Sequence, residues 1–187
     1  NHTRTTWVLK CDIRKFFASI DHEVLYGILQ KHIQDLDILW LLQEVVGSFN
    51  NILTYSSMLV CGKGLPLGNL TSQLLVNIYM NEFDQWVKHT LKAKYYIRYA
   101  DDFVLLSHDK VELEQALRYI VVKLGELKLT LHPDKVSITT FASGVDFLGW
   151  VHFPDHRVLR TASKRRMFRR LQERAGQVGE EATRQSY

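Results

Sequence analysis

Two adjacent aspartates, Asp101 and Asp102, stand between two apolar, strand-forming runs, Tyr95-Tyr96-Ile97 and Phe103-Val104-Leu105-Leu106. Strand interiors exclude aspartate, so Tyr99-Ala100-Asp101-Asp102 reads as the tip of a β-hairpin. Asp-Asp at such a tip can be read in two ways. It is ordinary turn chemistry, or it gathers negative charge for a hard divalent cation bound through oxygen. Asp12 bears on the choice, because it ends another short apolar run, Val8 to Asp12. If the two runs are neighbours in one sheet, three carboxylates converge. Such a trio suits two Mg²⁺ ions about 3.5–4 Å apart, the arrangement that serves in-line phosphoryl or nucleotidyl transfer. One ion would activate a 3′-hydroxyl and the other would stabilise the departing pyrophosphate.

The remaining pattern is a mixture of helices and strands in a chain of 187 residues, 46% apolar and 24% charged. That is enough for one domain with a sizeable core. Asp21 reads as a helix N-cap before Val24, Leu25, Ile28 and Leu29. A second helix is expected over 35–49, carrying Leu36, Leu39, Trp40, Leu42 and Val46, and both stripes read as core. Gly62, Gly64, Pro66 and Gly68 mark an irregular loop. A long helix follows over 70–91, with Leu74, Ile78 and Phe83 on or near one face. After the acidic hairpin, 109–124 reads as a helix, and 127–131 and 136–140 as short strands around His132-Pro133-Asp134. The segments 145–148 and 151–153 suggest a hairpin bending at Gly149, and 163–174 a basic helix with Met167, Phe168 and Leu171 as its stripe. Residues 176–187 read as a frayed, disordered tail. This order predicts an α+β fold, an antiparallel sheet with helices packed on one face.

Charge is unevenly placed. Between His156 and Arg174 lie Arg157, Arg160, Lys164, Arg165, Arg166, Arg169, Arg170 and Arg174, opposed by Glu173 alone. The rest of the chain is slightly acidic, although the whole carries a net +4. A basic cluster of this density suits a polyanion such as nucleic acid, although a solvated helix face can carry similar charge. No apolar run approaches a membrane span, and no signal peptide is visible. Cys11 and Cys61 lack metal-type spacing and read as reduced thiols of a cytosolic protein. His22, His32, His89, His108, His132, His152 and His156 share no metal spacing and receive no role. The first residue is Asn1, which suggests a fragment, a processed product or a partial reading frame.

Five segments in register resemble the motifs of the reverse transcriptase family. Lys10 to His22 looks like the first palm motif, Gly64-Leu65-Pro66-Leu67-Gly68-Asn69-Leu70-Thr71-Ser72-Gln73 the second, and Tyr99-Ala100-Asp101-Asp102 the third. Leu131-His132-Pro133-Asp134-Lys135 is similar to the fourth, and Val145-Asp146-Phe147-Leu148-Gly149-Trp150 to the primer grip. Each alone is weak; five in order are specific. The resemblance implies a polymerase palm, residues 1–155, with a helical, fingers-proximal insertion at about 21–50. A basic helix over 156–175 would open a truncated thumb.

The resemblance also assigns roles. Asp12, Asp101 and Asp102 would be the catalytic, metal-binding carboxylates, joined by the carbonyl of Ile13, with Mg²⁺ in two sites and Mn²⁺ as a substitute. Lys135 would protonate the leaving pyrophosphate; as a lone Lys in a turn it is equally a surface residue. Phe17 falls where the family keeps an aromatic gate against the ribose 2′-hydroxyl, and one of Phe16 and Phe17 should instead pack in the core. Pro66, Leu67, Gly68 and Gln73 would line the nucleotide pocket, where glycine allows close backbone approach. Phe147, Leu148, Gly149 and Trp150 would hold the primer, although hairpin core packing explains the same residues. Lys164, Arg165, Arg166, Arg169 and Arg170 would follow phosphates.

Leu67 departs from the family, many of whose members carry Gln there. With the segment Gly68 to Gln73, it looks most like polymerases of diversity-generating retroelements, which are error-prone at template adenines; intron-encoded and retron-type enzymes are the alternatives. The implied partners are an RNA template, a DNA or RNA primer, a dNTP and a retroelement accessory protein, with no membrane, in a bacterial cytoplasm. Two other readings stand beside this one. A degenerate, non-catalytic palm would bind RNA or protein through the basic tail, but the three retained carboxylates and Phe17 speak against it. An RNA-dependent RNA polymerase would usually place a small residue at the gate. Only eleven residues precede Asp12, so fingers and thumb are scarcely represented. The isolated chain is therefore expected to show weak or no activity.

Overall fold

The computed structural model describes residues 5–47 and 62–173. The end of the expected second helix at Phe49, Cys61, Arg174 and the tail from Gly176 lie outside the described residues. By contacts the chain divides into two units, 7–138 and 1–6 with 139–187, and the boundary falls inside one strand.

The first unit is built on the acidic hairpin. Strands β2 (Tyr95–Tyr99) and β3 (Asp102–Ser107) pair antiparallel across it, with Tyr99 opposite Asp102. Strand β1 (Trp7–Asp12) lies on the other side of β3, also antiparallel, from Trp7 opposite Ser107 to Asp12 opposite Asp102. Strand β4 (Ser137–Thr140), where the boundary falls, completes the four-stranded order β2-β3-β1-β4. Alternation along the strands gives this sheet two different faces. Leu9, Cys11, Phe103 and Leu105 are buried on one of them. Tyr95, Ile97 and Tyr99 project from the other and remain exposed.

Helices α4 (Leu70–His89) and α5 (Lys110–Glu126) supply the core against the apolar face. The Phe83 ring centroid lies 5.2 Å from that of Phe103 and 6.3 Å from that of Tyr96. The buried stripe of α4 is Leu75, Val76, Tyr79, Met80, Phe83 and Val87. Leu74 is exposed and is not part of it, because the helical repeat that includes Phe83 and Tyr79 reaches Leu75 and Val76 instead. Asp109 caps α5 by accepting from the Val111 N–H, and Leu113, Ile120 and Leu124 face the core. Val111 is exposed in the first turn.

Helix α2 (His22–His32) starts at Asp21, which accepts from the Val24 N–H as an N-cap should. Helix α3 (Leu36–Gly47) corrects the expectation of a core stripe. Only Leu39 and Val46 are buried, while Leu36 is 78% and Trp40 62% exposed. Two residues seven apart make a single narrow seam, so the flanks of α3 stay outside it. A short helix, α1 (Phe16–Ser19), was not legible because four residues carry no periodicity.

The expected strand over 127–131 is absent. Leu127 and Leu129 are buried, but as a plug below the end of α5, where the Leu129 N–H donates to the Leu124 carbonyl. The buried Tyr79 hydroxyl donates to the Leu127 carbonyl at 2.7 Å and holds the segment there. Pairing is limited to one bridge, Leu131 opposite Ile13.

In the second unit, β5 (Val145–Phe147), β6 (Trp150–His152) and β7 (Arg157–Leu159) form a three-stranded antiparallel sheet. The first turn is Leu148-Gly149, with φ of 53° and 81°. Two positive φ values in a two-residue loop suit the twist of a hairpin. Strand β7 lies hidden in the basic stretch and was not expected. Helix α6 (Thr161–Glu173) carries the basic cluster on an exposed surface.

Candidate active site

Asp12 ends β1 with only 7% of its surface exposed. Its neighbours are fixed by backbone bonds on both sides. The Ile13 N–H donates to the Asp101 carbonyl at 3.0 Å, the Arg14 N–H to the Thr130 carbonyl at 2.9 Å, and the His132 N–H to the Asp12 carbonyl at 2.8 Å. The β1–β3 register places Asp12 and Asp102 directly across from each other. Asp12, Ile13, Asp101 and Asp102 are thus gathered at one end of the sheet. The fourth motif joins them, because Lys135 Nζ donates to Asp12 Oδ2 at 2.8 Å.

This end of the sheet is electrostatically crowded. Burial raises the Asp102 carboxyl above its ordinary range; Lys10 and Lys135 pull it down, while Asp12 and Asp101 add repulsion that keeps it up. The hydrogen bond to Asp12 raises the Lys135 ammonium in turn. An all-carboxylate donor set whose mutual repulsion is only partly offset by Lys10 and Lys135 fits a hard divalent cation. Among the described residues, no three His, Cys, Asp or Glu side chains stand close enough to grip an ion as they are.

The second motif is fastened alongside the first. The Leu65 N–H donates to the Phe17 carbonyl and the Gly64 N–H to the Ile20 carbonyl, both at 2.8 Å, and Lys63 forms an isolated β-bridge with Asp21. Gly64 has φ +94°, a conformation that favours glycine, and a Cβ there would meet the Ala18 backbone at 3.4 Å. Phe16 is buried and Phe17 half-buried, their rings edge-to-face at 5.5 Å. Pro66 is half-buried, while Leu67, at 79%, and Gly68 and Gln73 are exposed around the start of α4.

Within the second unit, Phe147 is buried, Leu148 and Gly149 form the turn, and the Trp150 ring carries the Arg157 guanidinium 4.8 Å from its centroid. Lys164, Arg165, Arg166, Arg169 and Arg170 are all exposed on α6.

Three functional details escaped sequence reasoning. His22 has a structural role: its Nε2 donates to the Gly64 carbonyl at 2.8 Å and so ties the loop to α2. Its signal was not metal spacing but its place beside the cap Asp21, facing the core. The backbone of His132 secures Asp12, which no side-chain pattern reveals. Arg98 and Asp84 pair at 2.6 Å beneath the hairpin. An Arg in an otherwise apolar strand was the available signal, because a buried charge needs a partner.

Residues 1–152 match the family model described as reverse transcriptase (RNA-dependent DNA polymerase). The chain is 28% identical over 195 residues to protein YkfC of Escherichia coli K12, covering 87% of this chain and 49% of that protein. It is 32% identical over 91 residues to the group II intron-encoded protein LtrA of Lactococcus lactis, 48% of this chain and 14% of that one. The chain thus spans half or less of these curated relatives. Among solved structures it resembles apo telomerase from Candida tropicalis, with TM-score 0.58 and 12% identity over 83% of this chain and 35% of that one. It also resembles telomerase from Candida albicans in complex with a fragment of telomeric RNA, with TM-score 0.54 and 16% identity over 78% of this chain and 29% of that one. These structures share its fold of helices on an antiparallel sheet. With a family model matched across most of its length, the chain belongs to the reverse transcriptase family.

Proposed function

We propose that this chain carries the catalytic centre of an RNA-directed DNA polymerase that joins a dNTP to a primer 3′-hydroxyl on an RNA template. The observation that carries this reading is the pairing of Asp12 with Asp102 while the Asp101 carbonyl accepts from Ile13. Reverse transcriptases use divalent metal ions; here Asp12, Asp101, Asp102 and the Ile13 carbonyl would hold Mg²⁺, in two sites, with Mn²⁺ as a substitute. When bound, such ions lower the barrier by stabilising charge on the attacking and leaving oxygens.

The chain's own groups do the rest. Lys135 keeps its proton at Nζ while paired with Asp12, which makes it the candidate donor to the leaving pyrophosphate. Phe17, half-buried beside the buried Phe16, is assigned to reject a ribose 2′-hydroxyl. Pro66, Leu67, Gly68 and Gln73 lie beside the loop tied to Phe17 and are assigned to the nucleotide. Phe147 to Trp150 and the cations of α6 are assigned to primer and template.

The test is primer extension on an RNA template by the full-length protein. Asp101→Asn should lower the rate by about a thousandfold or more, since the metal-bound charge is worth several kcal/mol. dNTPs should be strongly preferred over NTPs. An Asp101→Asn protein as active as its parent would defeat the reading.

A further inference from the structure

Arg98 is the one charged residue of β2. Its side chain is 9% exposed and enters a two-pronged pair with Asp84 of α4. Nε donates to Asp84 Oδ1 at 2.8 Å and Nη2 to Oδ2 at 2.6 Å. Tyr96 donates its hydroxyl to the same Oδ1 at 2.6 Å. The remaining arm, Nη1, donates to the Ala100 carbonyl at 3.1 Å.

Ala100 has φ +52°. A left-handed L-residue costs roughly 1–2 kcal/mol, and such strain persists only where surroundings impose it. The next carbonyl, that of Asp101, takes the Ile13 N–H, and the next residue, Asp102, faces Asp12. The turn is thus held twice, by Arg98 beneath Ala100 and by β1 at Asp101.

We propose that Arg98, anchored by Asp84, is a positioning residue that imposes the left-handed turn at Ala100 and thereby aims the Asp101 and Asp102 carboxylates. The role rests on the polymerase reading given above. Arg suits it because a planar fork can serve a carboxylate and a carbonyl together; the single ammonium of Lys cannot reproduce that fork.

Removing Arg98 alone would leave the half-buried Asp84 carboxylate without its counter-charge, so two gentler variants serve. Arg98→Lys leaves Asp84 a counter-charge. Arg98→Met with Asp84→Asn removes both charges and leaves an acceptor for Tyr96. Each is made in the full-length protein and measured by thermal unfolding, Mn²⁺ titration followed by electron paramagnetic resonance, and steady-state primer extension. Both variants should unfold near the parent's midpoint, bind Mn²⁺ about tenfold more weakly and lose about tenfold in kcat, as supporting residues around metal ligands do. KM for dNTP should move little. Folded variants with Mn²⁺ affinity and kcat within twofold of the parent overturn the role, as does loss of the folded state in both. If the parent binds Mn²⁺ only with Asp101 intact and the variants match it, the positioning role alone falls. A parent that binds no Mn²⁺ overturns the polymerase reading as well.

Discussion

At the scale of single residues, Leu67 and Asp21 isolate two different effects. Leu67 offers only hydrocarbon where many relatives carry Gln, and it is exposed enough to meet a ligand. If Leu67 marks a mutagenic subtype, Leu67→Gln should reduce misincorporation opposite template adenines, read by sequencing the products; an unchanged error spectrum would count against that subtype. Asp21 is a matter of stability. Burial opposes its ionisation, yet hydrogen bonds from Lys128 and the Val24 N–H outweigh it and hold the carboxyl below the ordinary range. A depressed folded value stabilises the fold above the unfolded pKa of about 3.9 and ceases to do so as pH falls through the folded value. Asn caps a helix about as well as Asp, so Asp21→Asn removes the charge and keeps the cap. The gap in thermal midpoint between parent and variant should therefore be open at neutral pH and close below about pH 4.

At the scale of elements, legibility followed chemistry that local pattern can carry. Val8 to Asp12 and the acidic hairpin were readable because a carboxylate at the end of an apolar run is out of place in a strand unless it marks the strand's limit. The run 127–131 misled because buried leucines look alike in a strand and in a plug; the Tyr79 hydroxyl on Leu127 helps to separate them, and that contact spans distant sequence. Helix α3 misled in the other direction, since apolar periodicity says which face is greasy and not whether a neighbour covers it. Turn chemistry offers a sharper test. A Cβ on Gly144 would lie 2.8 Å from both the Phe153 ring and Val151, at φ +87°, whereas Gly68 has φ +91° and open space. Gly68→Ala should cost only backbone strain, about 1 kcal/mol. Gly144→Ala should cost a further 1–3 kcal/mol or so for overpacking. Thermal unfolding by circular dichroism ranks the two, and equal losses would contradict the crowding.

At the scale of the whole molecule, charge and contact divide the chain in a similar way. The unit with the carboxylates is mildly acidic in composition, and the other bears the cations of α6. If those cations follow phosphates, Arg165→Gln and Arg166→Gln should each weaken RNA binding similarly across sequences. Each should also flatten the dependence of log K on log salt by about 0.7 on single strands, measurable by fluorescence anisotropy. A salt dependence unmoved by both would place the phosphate contacts elsewhere. The pairing of Asp12 with Asp102 has a consequence for descent. Side chains alternate faces, so losing or gaining one residue within β1 would turn the acid toward the core and bring a neighbour such as Cys11 out in its place. An added or lost residue in a surface loop leaves this register alone, whereas one within β1 does not. The length of β1 is therefore under the same physical constraint as the aspartate it delivers.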